Sequence, residues 1–453
     1  MTQQFMTSNI FTSPDSKSSK IKNIIAFLAV TALAVLVSLI FAPKAHATTY
    51  NVTQTPPSAC TLVEAFEAAA TDIAVGACAA GDGDDTINVG QGTYTLAADL
   101  GSIVTSGNIS VIGEDATNTI IDGAGFAGIT FAAQGNYLIE NLTFTGFVST
   151  AEGSTLFING GGNVTANKLI VRQNTCTAAI PVCAIALTFF TDDISTTISN
   201  SSFYQNTAFF LFANARVPGE LASGSSTMNI FNNTIFDNTS GIVNTANSDP
   251  NPGTAVTNFY NNTVAQNSPY ADYVDLMFVL NVGEAPAFYS SELNLRNNVL
   301  SGNTNLAGED ANCGSYVGEN GILTSDGGNI SDDATCNAIF TSSNDKNSTD
   351  PLLAAYQQVG STFVMPLQAG SPALENAVAG APATPAVDQR GVTRPQSAIA
   401  DSGAYEYVAP VPTPTPSAGT LASTGWDTRL PVLLATLFVL AGLTGVGYAL
   451  KKN

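Results

Sequence analysis

The chain runs to 453 residues, with 35 Asp and Glu against 14 Lys and Arg, a formal net charge of −21, and only 11% charged residues in all. So few cations exclude nucleic acid, or another polyanion, as a partner held by a basic patch, since Lys and Arg carry such binding. The one histidine, His46, lies in a segment that export would remove, which excludes mechanisms built on an imidazole base or ligand from the mature protein.

Residues 1–47 read as a signal peptide. Lys17, Lys20 and Lys22 precede an apolar run from Ile24 to Ala42, and Ala45-His46-Ala47 supplies the small residues at which cleavage would follow Ala47. The run is longer than a usual signal core, so an uncleaved membrane anchor is the alternative, and both readings export the chain. Six cysteines in an exported chain predict three disulfides, and their order favours the local pairs Cys60–Cys78, Cys176–Cys183 and Cys313–Cys336.

Residues 48–84 read as an N-terminal cap. In CTLVEAFEAAA (60–70), Thr61 and Glu64 make a capping box, and Leu62, Phe66 and Ala69 form one apolar helix face. The GDGDD run that follows places Asp82, Asp84 and Asp85 together. These carboxylates offer oxygen ligands to calcium, or else form a turn before a strand.

Residues 85–345 carry a repeat. FNNTIFDNTS (231–240), YNNTVAQNS (260–268) and LRNNVLSGNT (295–304) share a register: an apolar residue two before the first Asn, another three after it, and an Asn six after it. Ile198, Asn200, Phe203 and Asn206 fit it, as do Ile230, Asn232, Ile235 and Asn238; Phe259, Asn261, Val264 and Asn267; and Leu295, Asn297, Leu300 and Asn303. Ile139, Asn141 and Phe144 keep three of the positions, while Ala166, Val171 and Asn174 keep the register with Lys168 in the Asn slot. Apolar residues five apart face one core only if the strand bends between them, which assigns Asn200, Asn232, Asn261 and Asn297 to corners. The closing asparagines at 174, 206, 238, 267 and 303 recur about every thirty residues, the length of one solenoid turn with a variable loop. β-branched and aromatic residues fill these windows, so the turns are of strands rather than helices.

These residues resemble the right-handed parallel β-helix proteins over about residues 85–340. The implied fold class is all-β: a single-stranded, pectate-lyase-like solenoid with a short capping helix in front and a C-terminal transmembrane helix. Residues 60–96 resemble the CSLREAI-type module that opens many exported β-helices, with Thr61, Val63 and Phe66 where that family has Ser, Arg and Ile. In residues 346–408, DPLL (350–353), GSPALENA (370–377), DQRG (388–391), Arg394-Pro395 and DSGAYEY (401–407) resemble a choice-of-anchor module, with Leu374-Glu375 in place of Ile-Asp. The resemblance implies that this module closes the solenoid.

Residues 409–429 hold a Pro-rich linker and Leu421, Ala422, Ser423, Thr424 and Gly425; residues 430–453 hold a membrane-length apolar run and a basic tail. This order resembles a sortase signal cut between Thr424 and Gly425, with Ala422 in place of the usual Pro. A plain membrane anchor is the alternative. The implied partners are a sortase with the cell wall, or the membrane.

For activity, the fold resemblance brings in polysaccharide lyases and glycoside hydrolases, which need paired carboxylates or a calcium cluster with a cationic base. Asp272 with Asp275 in YADYVDL, beside Tyr270 and Tyr273, is the leading candidate site; Asp192 with Asp193 reads as a solvated turn, and Asp332 with Asp333 is a further pair whose context does not single it out. Arg172 and Arg296 occupy outward repeat positions without matched acids, and Arg390 and Arg394 are expected to pair with Asp388, Asp401 or Glu406. No cofactor is implied. The reading that emerges is a surface adhesin or carbohydrate-binding structural protein, meeting a glycan or a host or neighbouring cell surface through the long segments 215–226, 244–253 and 268–286. A lyase or hydrolase and a passive stalk are the alternatives.

Overall fold

The computed structural model describes residues 47–410 apart from 55–56, 105–106, 150–153, 177–183, 190–192, 217–224, 248–252, 271–276, 282–288 and 318–320. The expected signal peptide, sorting motif and transmembrane run lie outside the described residues, and no helix among those described is long and apolar enough to cross a membrane.

The described chain from Thr49 to Ser331 winds as a parallel β-solenoid, each full turn visiting three sheets in a fixed order. Among the described residues the first sheet has ten parallel strands, from Thr49–Val52 to Gly321–Gly327. The second has nine, from Gly92–Thr95 to Ile330–Ser331, and the third runs from Gly101–Ile103 to Ser315–Val317. The first sheet thus begins inside the 48–84 segment.

The repeat register explains the core. In the first sheet Ile139, Ala166, Ile198, Ile230, Phe259 and Leu295 stack in line, and in the second Phe144, Val171, Phe203, Ile235, Val264 and Leu300 do the same. All twelve are at most 1% exposed. Between the two rows the chain bends at Asn141, Lys168, Asn200, Asn232, Asn261 and Asn297, whose φ of 52–59° lies in the left-handed region that Asn tolerates best. The bend puts both apolar rows on the inside.

A second corner, between the second and third sheets, was not expected. Gly146, Gln173, Gln205, Asp237, Gln266 and Gly302 take φ of 53–70°, each one residue before a closing position. Behind this corner Asn174, Asn206, Asn238, Asn267, Asn303 and Asn312 form a buried ladder, each side-chain amide donating to the next at 2.8–3.0 Å. A parallel ladder joins Asn233, Asn262, Asn298 and Asn329 at 3.0–3.3 Å. Both also bond main-chain groups of the adjoining turns, which meets the polar demand of tight corners inside a dry core.

Helix α1, Leu62–Thr71, packs against the strands Thr49–Val52, Asp85–Val89 and Gly101–Ile103 of the first turn. Its capping box is formed by Thr61 and Glu64, and Leu62, Phe66 and Ala69 are buried. The disulfides Cys60–Cys78 and Cys313–Cys336 are present; Cys176 is disulfide-bonded and buried, while Cys183 lies outside the described residues.

Residues 346–407 form a strap that lies lengthwise on the outside of the second sheet. It starts where Lys346 bridges Ile330, reaches Ser202 through the hairpin Gln357–Val359/Thr362–Val364, and returns to Thr263 and Gly328 at Ala404 and Ser402. The outward row Ser202, Thr234, Thr263, Val299 and Ile330 is buried beneath it.

Candidate functional site

A groove follows the outer corner between the first and second sheets, parallel to the solenoid axis. Its upper part is a cleft of about 510 Å3 lined by Thr53, Gln54, Gly90, Gln91, Gly92, Glu114 and Asn118. Its lower part, about 320 Å3, runs from Glu114 and Asp115 over the corner residues Asn141, Lys168 and Asn200 to the strap at Gly360, Ser361, Gln389 and Arg390. Glu114 belongs to both, so the two parts adjoin. Each has the volume of an ordinary small-ligand site.

The walls are set by the fold. The left-handed corner turns each side chain of the row outward, and the amides are chained: Asn232 donates to Asn200 at 3.1 Å and Asn200 to Asn167 at 2.8 Å. Lys168 pairs with Glu140 at 2.9 Å, and Gln91 donates to Glu114 at 3.1 Å. On the strap side Asp388 accepts from Arg390 Nε and Nη2, at 2.9 and 2.6 Å, and the guanidinium lies 3.4 Å from the Tyr405 ring centroid. Gln389 pins this wall, donating to Ser202, Thr362 and the Phe363 carbonyl and accepting from Thr234. The groove therefore presents two ion pairs, the carboxylates of Glu114 and Asp115 bonded to neutral donors, amides and hydroxyls on rigid backbone, a surface suited to many hydroxyl contacts.

The acidic candidates fall elsewhere. Asp272 and Asp275 lie outside the described residues, as do Asp192 and Tyr273; Tyr270 sits 36% exposed with its ring against Phe209. Asp193 accepts the Ser225 N–H. Asp332 and Asp333 hold the end of the Asn ladder, accepting from Gly302 and Ser301 and from Asn312 and Thr335. Of the GDGDD run, Asp84 accepts both N–H groups of Asn108, whereas Asp85 is buried at the head of a strand, and burial raises its pKa. Among the described residues no three His, Cys, Asp or Glu side chains gather as a metal site.

Arg296 keeps the outward position expected of it and makes no ion pair among the described residues, but it is not open to solvent. It is outward in the sheet but 2% exposed, stacked 5.4 Å from the Tyr260 ring centroid and donating to the Pro382 carbonyl of the strap. Burial lowers its pKa and the charge of Asp326 opposes this. Arg172 is half-buried near Tyr204 and Tyr356. Arg390 and Arg394 take the structural pairings expected, with Asp388 and with Glu406. Sequence reasoning missed the groove because its lining residues come from turns and strap segments far apart in the chain.

No protein-family model matches the chain, and no curated protein matches it. One solved structure that does, the crystal structure of pectate lyase Pel9A, is 16% identical, with 81% of this chain and 98% of that chain aligned at a TM-score of 0.30. At that level of likeness nothing of the lyase's activity transfers to this chain. The parallel β-solenoid fold rests on the strand pairing itself.

Proposed function

We propose that the chain is an exported, surface-anchored adhesin that binds an extended glycan along the corner groove. The observation that carries this is the groove's lining: amides, hydroxyls, the ion pairs Lys168–Glu140 and Arg390–Asp388, and the carboxylates of Glu114 and Asp115, held on backbone that crosses several turns. Glycan recognition needs repeated hydrogen-bond partners at fixed spacing, which stacked turns provide. The candidate acids among the described residues serve structural hydrogen bonds, which favours binding over lyase or hydrolase chemistry. The disulfides accord with an oxidising exterior. Anchoring is assigned to Leu421–Gly425 acting as a sortase signal.

The test is a glycan array probed with the purified full-length protein and with Lys168→Ala and Glu114→Ala, both on the groove wall. Binding of an acidic or neutral oligosaccharide is expected, weakened about tenfold in each variant with unchanged thermal stability. Mass spectrometry of the cell-wall fraction then reads the anchor, with Thr424 as the expected C-terminus. Array binding that both variants retain would move the site to the side loops, and release of unsaturated or reducing sugars would overturn the adhesin reading.

A further inference from the structure

The first turn holds two carboxylates and a helix-end carbonyl that converge without a counter-charge. Asp85 is 2% exposed; its Oδ1 accepts N–H groups from Thr48 at 3.0 Å and Asp82 at 3.4 Å, while its Oδ2 is buried and has no partner. Gly81 shows what Oδ2 faces. A Cβ on Gly81 would lie 2.5 Å from Asp85 Oδ2, 2.9 Å from Asp72 Oδ1 and 2.9 Å from the Ala68 carbonyl oxygen. Three oxygens from two stretches of chain, the end of α1 and the head of the strand at Asp85, thus lie about one point beside Gly81; the Ala68 carbonyl also accepts the Gly81 N–H and Asp72 Oδ1 the Gly83 N–H, each at 3.3 Å.

The surroundings sharpen the conflict. Asp72 is the left-handed C-cap of α1, whose last turn has no basic residue, so the negative end of the helix dipole adds to the two carboxylates. The charge of Asp82 acts on Asp85 as well. A buried anionic oxygen facing other anionic oxygens is strongly unfavourable unless one carboxyl takes up a proton or a cation sits among them, and a bound cation displaces that proton. Oxygen-only donors select a hard cation, and an irregular set open to water on the side of exposed Asp72 and Asp82 suits calcium better than octahedral magnesium.

We propose that Asp85 Oδ2, Asp72 Oδ1 and the Ala68 carbonyl bind one calcium ion, completed by water, which ties the end of α1 to the first strands of the solenoid. Asp72, absent from the GDGDD run, replaces Asp84, whose carboxylate is committed to Asn108. The site is independent of the groove.

The test strips the full-length chain with a chelator, titrates it with calcium by calorimetry, and follows α1 amides by hydrogen exchange. One site with a Kd on the order of 10⁻⁴–10⁻³ M is expected, the range of extracellular modules. Calcium at about ten times Kd should raise α1 protection about tenfold, with magnesium much less effective. Asp72→Asn, at an exposed side chain, should keep the fold and weaken binding about tenfold. Asp85→Asn puts an amide donor where the ion would sit and should make α1 protection indifferent to calcium; should it unfold the cap, Asp72→Asn alone decides. Calcium binding unchanged in Asp72→Asn, or α1 protection in the unmodified chain that ignores calcium, overturns the proposal.

Discussion

Asn238 and Asn261 are both buried, in neighbouring turns of one repeat, and they do opposite things for stability. Asn238 accepts the Asn206 N–H and amide and donates to the Phe203 and Phe236 carbonyls and to Asn267. Each buried partner left unmet costs about 1–3 kcal/mol, so Asn238→Ala should cost about 3–5 kcal/mol. Asn261 is 0% exposed with neither amide atom bonded, at φ 55°. Glycine takes that φ without strain and removes two unmet polar atoms, so Asn261→Gly should stay within about 1 kcal/mol of the parent. Denaturant titration of both variants checks this, and equal losses would mean that the ladder has no net value. The corner role of Asn232 and the facing of Ile230 and Ile235 were legible because Asn is the residue for a left-handed bend and the apolar spacing demands one. The second ladder through Asn233 was not, since Asn-Asn read as one corner signal. Nor was the corner at Gln205, since Gln carries no mark of left-handed backbone and takes it because the stacked turns require it.

Among the elements, the strap shows where sequence reading loses its hold. Its motifs could be found in order, and Arg394 with Glu406 was among the expected pairings, yet nothing local said that the segment would lie along the sheet instead of across its end. The contacts that place it span the chain, as where Asn232 donates to the Val387 carbonyl at 2.7 Å. Within the strap Arg394 and Glu406 pair at 3.1 Å, each side chain 1% exposed. Beside them Asp401 accepts N–H groups from Glu375 and Tyr407. Its pKa is raised to about 6, chiefly by burial and further by Glu406, against the pull of Arg394 and of those N–H groups. A carboxyl whose folded pKa exceeds its unfolded value of about 3.9 favours folding at low pH, and that contribution is lost as pH rises through about 6. Hydrogen exchange corrected for intrinsic rate should therefore show a better-protected strap at pH 5 than at pH 7. Asp401→Asn should flatten that slope, and an unchanged slope would assign it to another group.

Across the whole molecule, bracing is divided between the two ends. The early turns are closed by α1, by Cys60–Cys78, and by tight corners where Gly107, Gly135 and Gly162 stack, each so close to the preceding turn's carbonyl that a Cβ would lie 1.9–2.5 Å from it. The strands from Ser202 to Ile330 lean instead on the strap, through Gln389, Arg394, Asn376 and Ser402. A solenoid turn contacts only its neighbours, so loss of one brace should spread a few turns and stop. Gln389→Ala combined with Arg394→Met removes those two side chains' bonds to Ser202, Thr234 and Asn232, keeps the Val387–Asn232 and Phe363–Ser202 bonds, and leaves Glu406 buried without its cation, which should loosen the segment. Amide protection in the second-sheet strands Ser202–Tyr204, Thr234–Phe236 and Thr263–Ala265 should then fall at least about tenfold, while Ile109–Gly113 keeps its protection. A uniform loss along the chain would instead show one cooperative unit, in which a surface held by the strap and a cap held by α1 fail together. Selective loss would mean that the lower groove wall, built from Gln389 and Arg390, can detach while the upper wall at Gln91 and Glu114 stays formed, and ligand binding should then weaken without any drop in α1 protection.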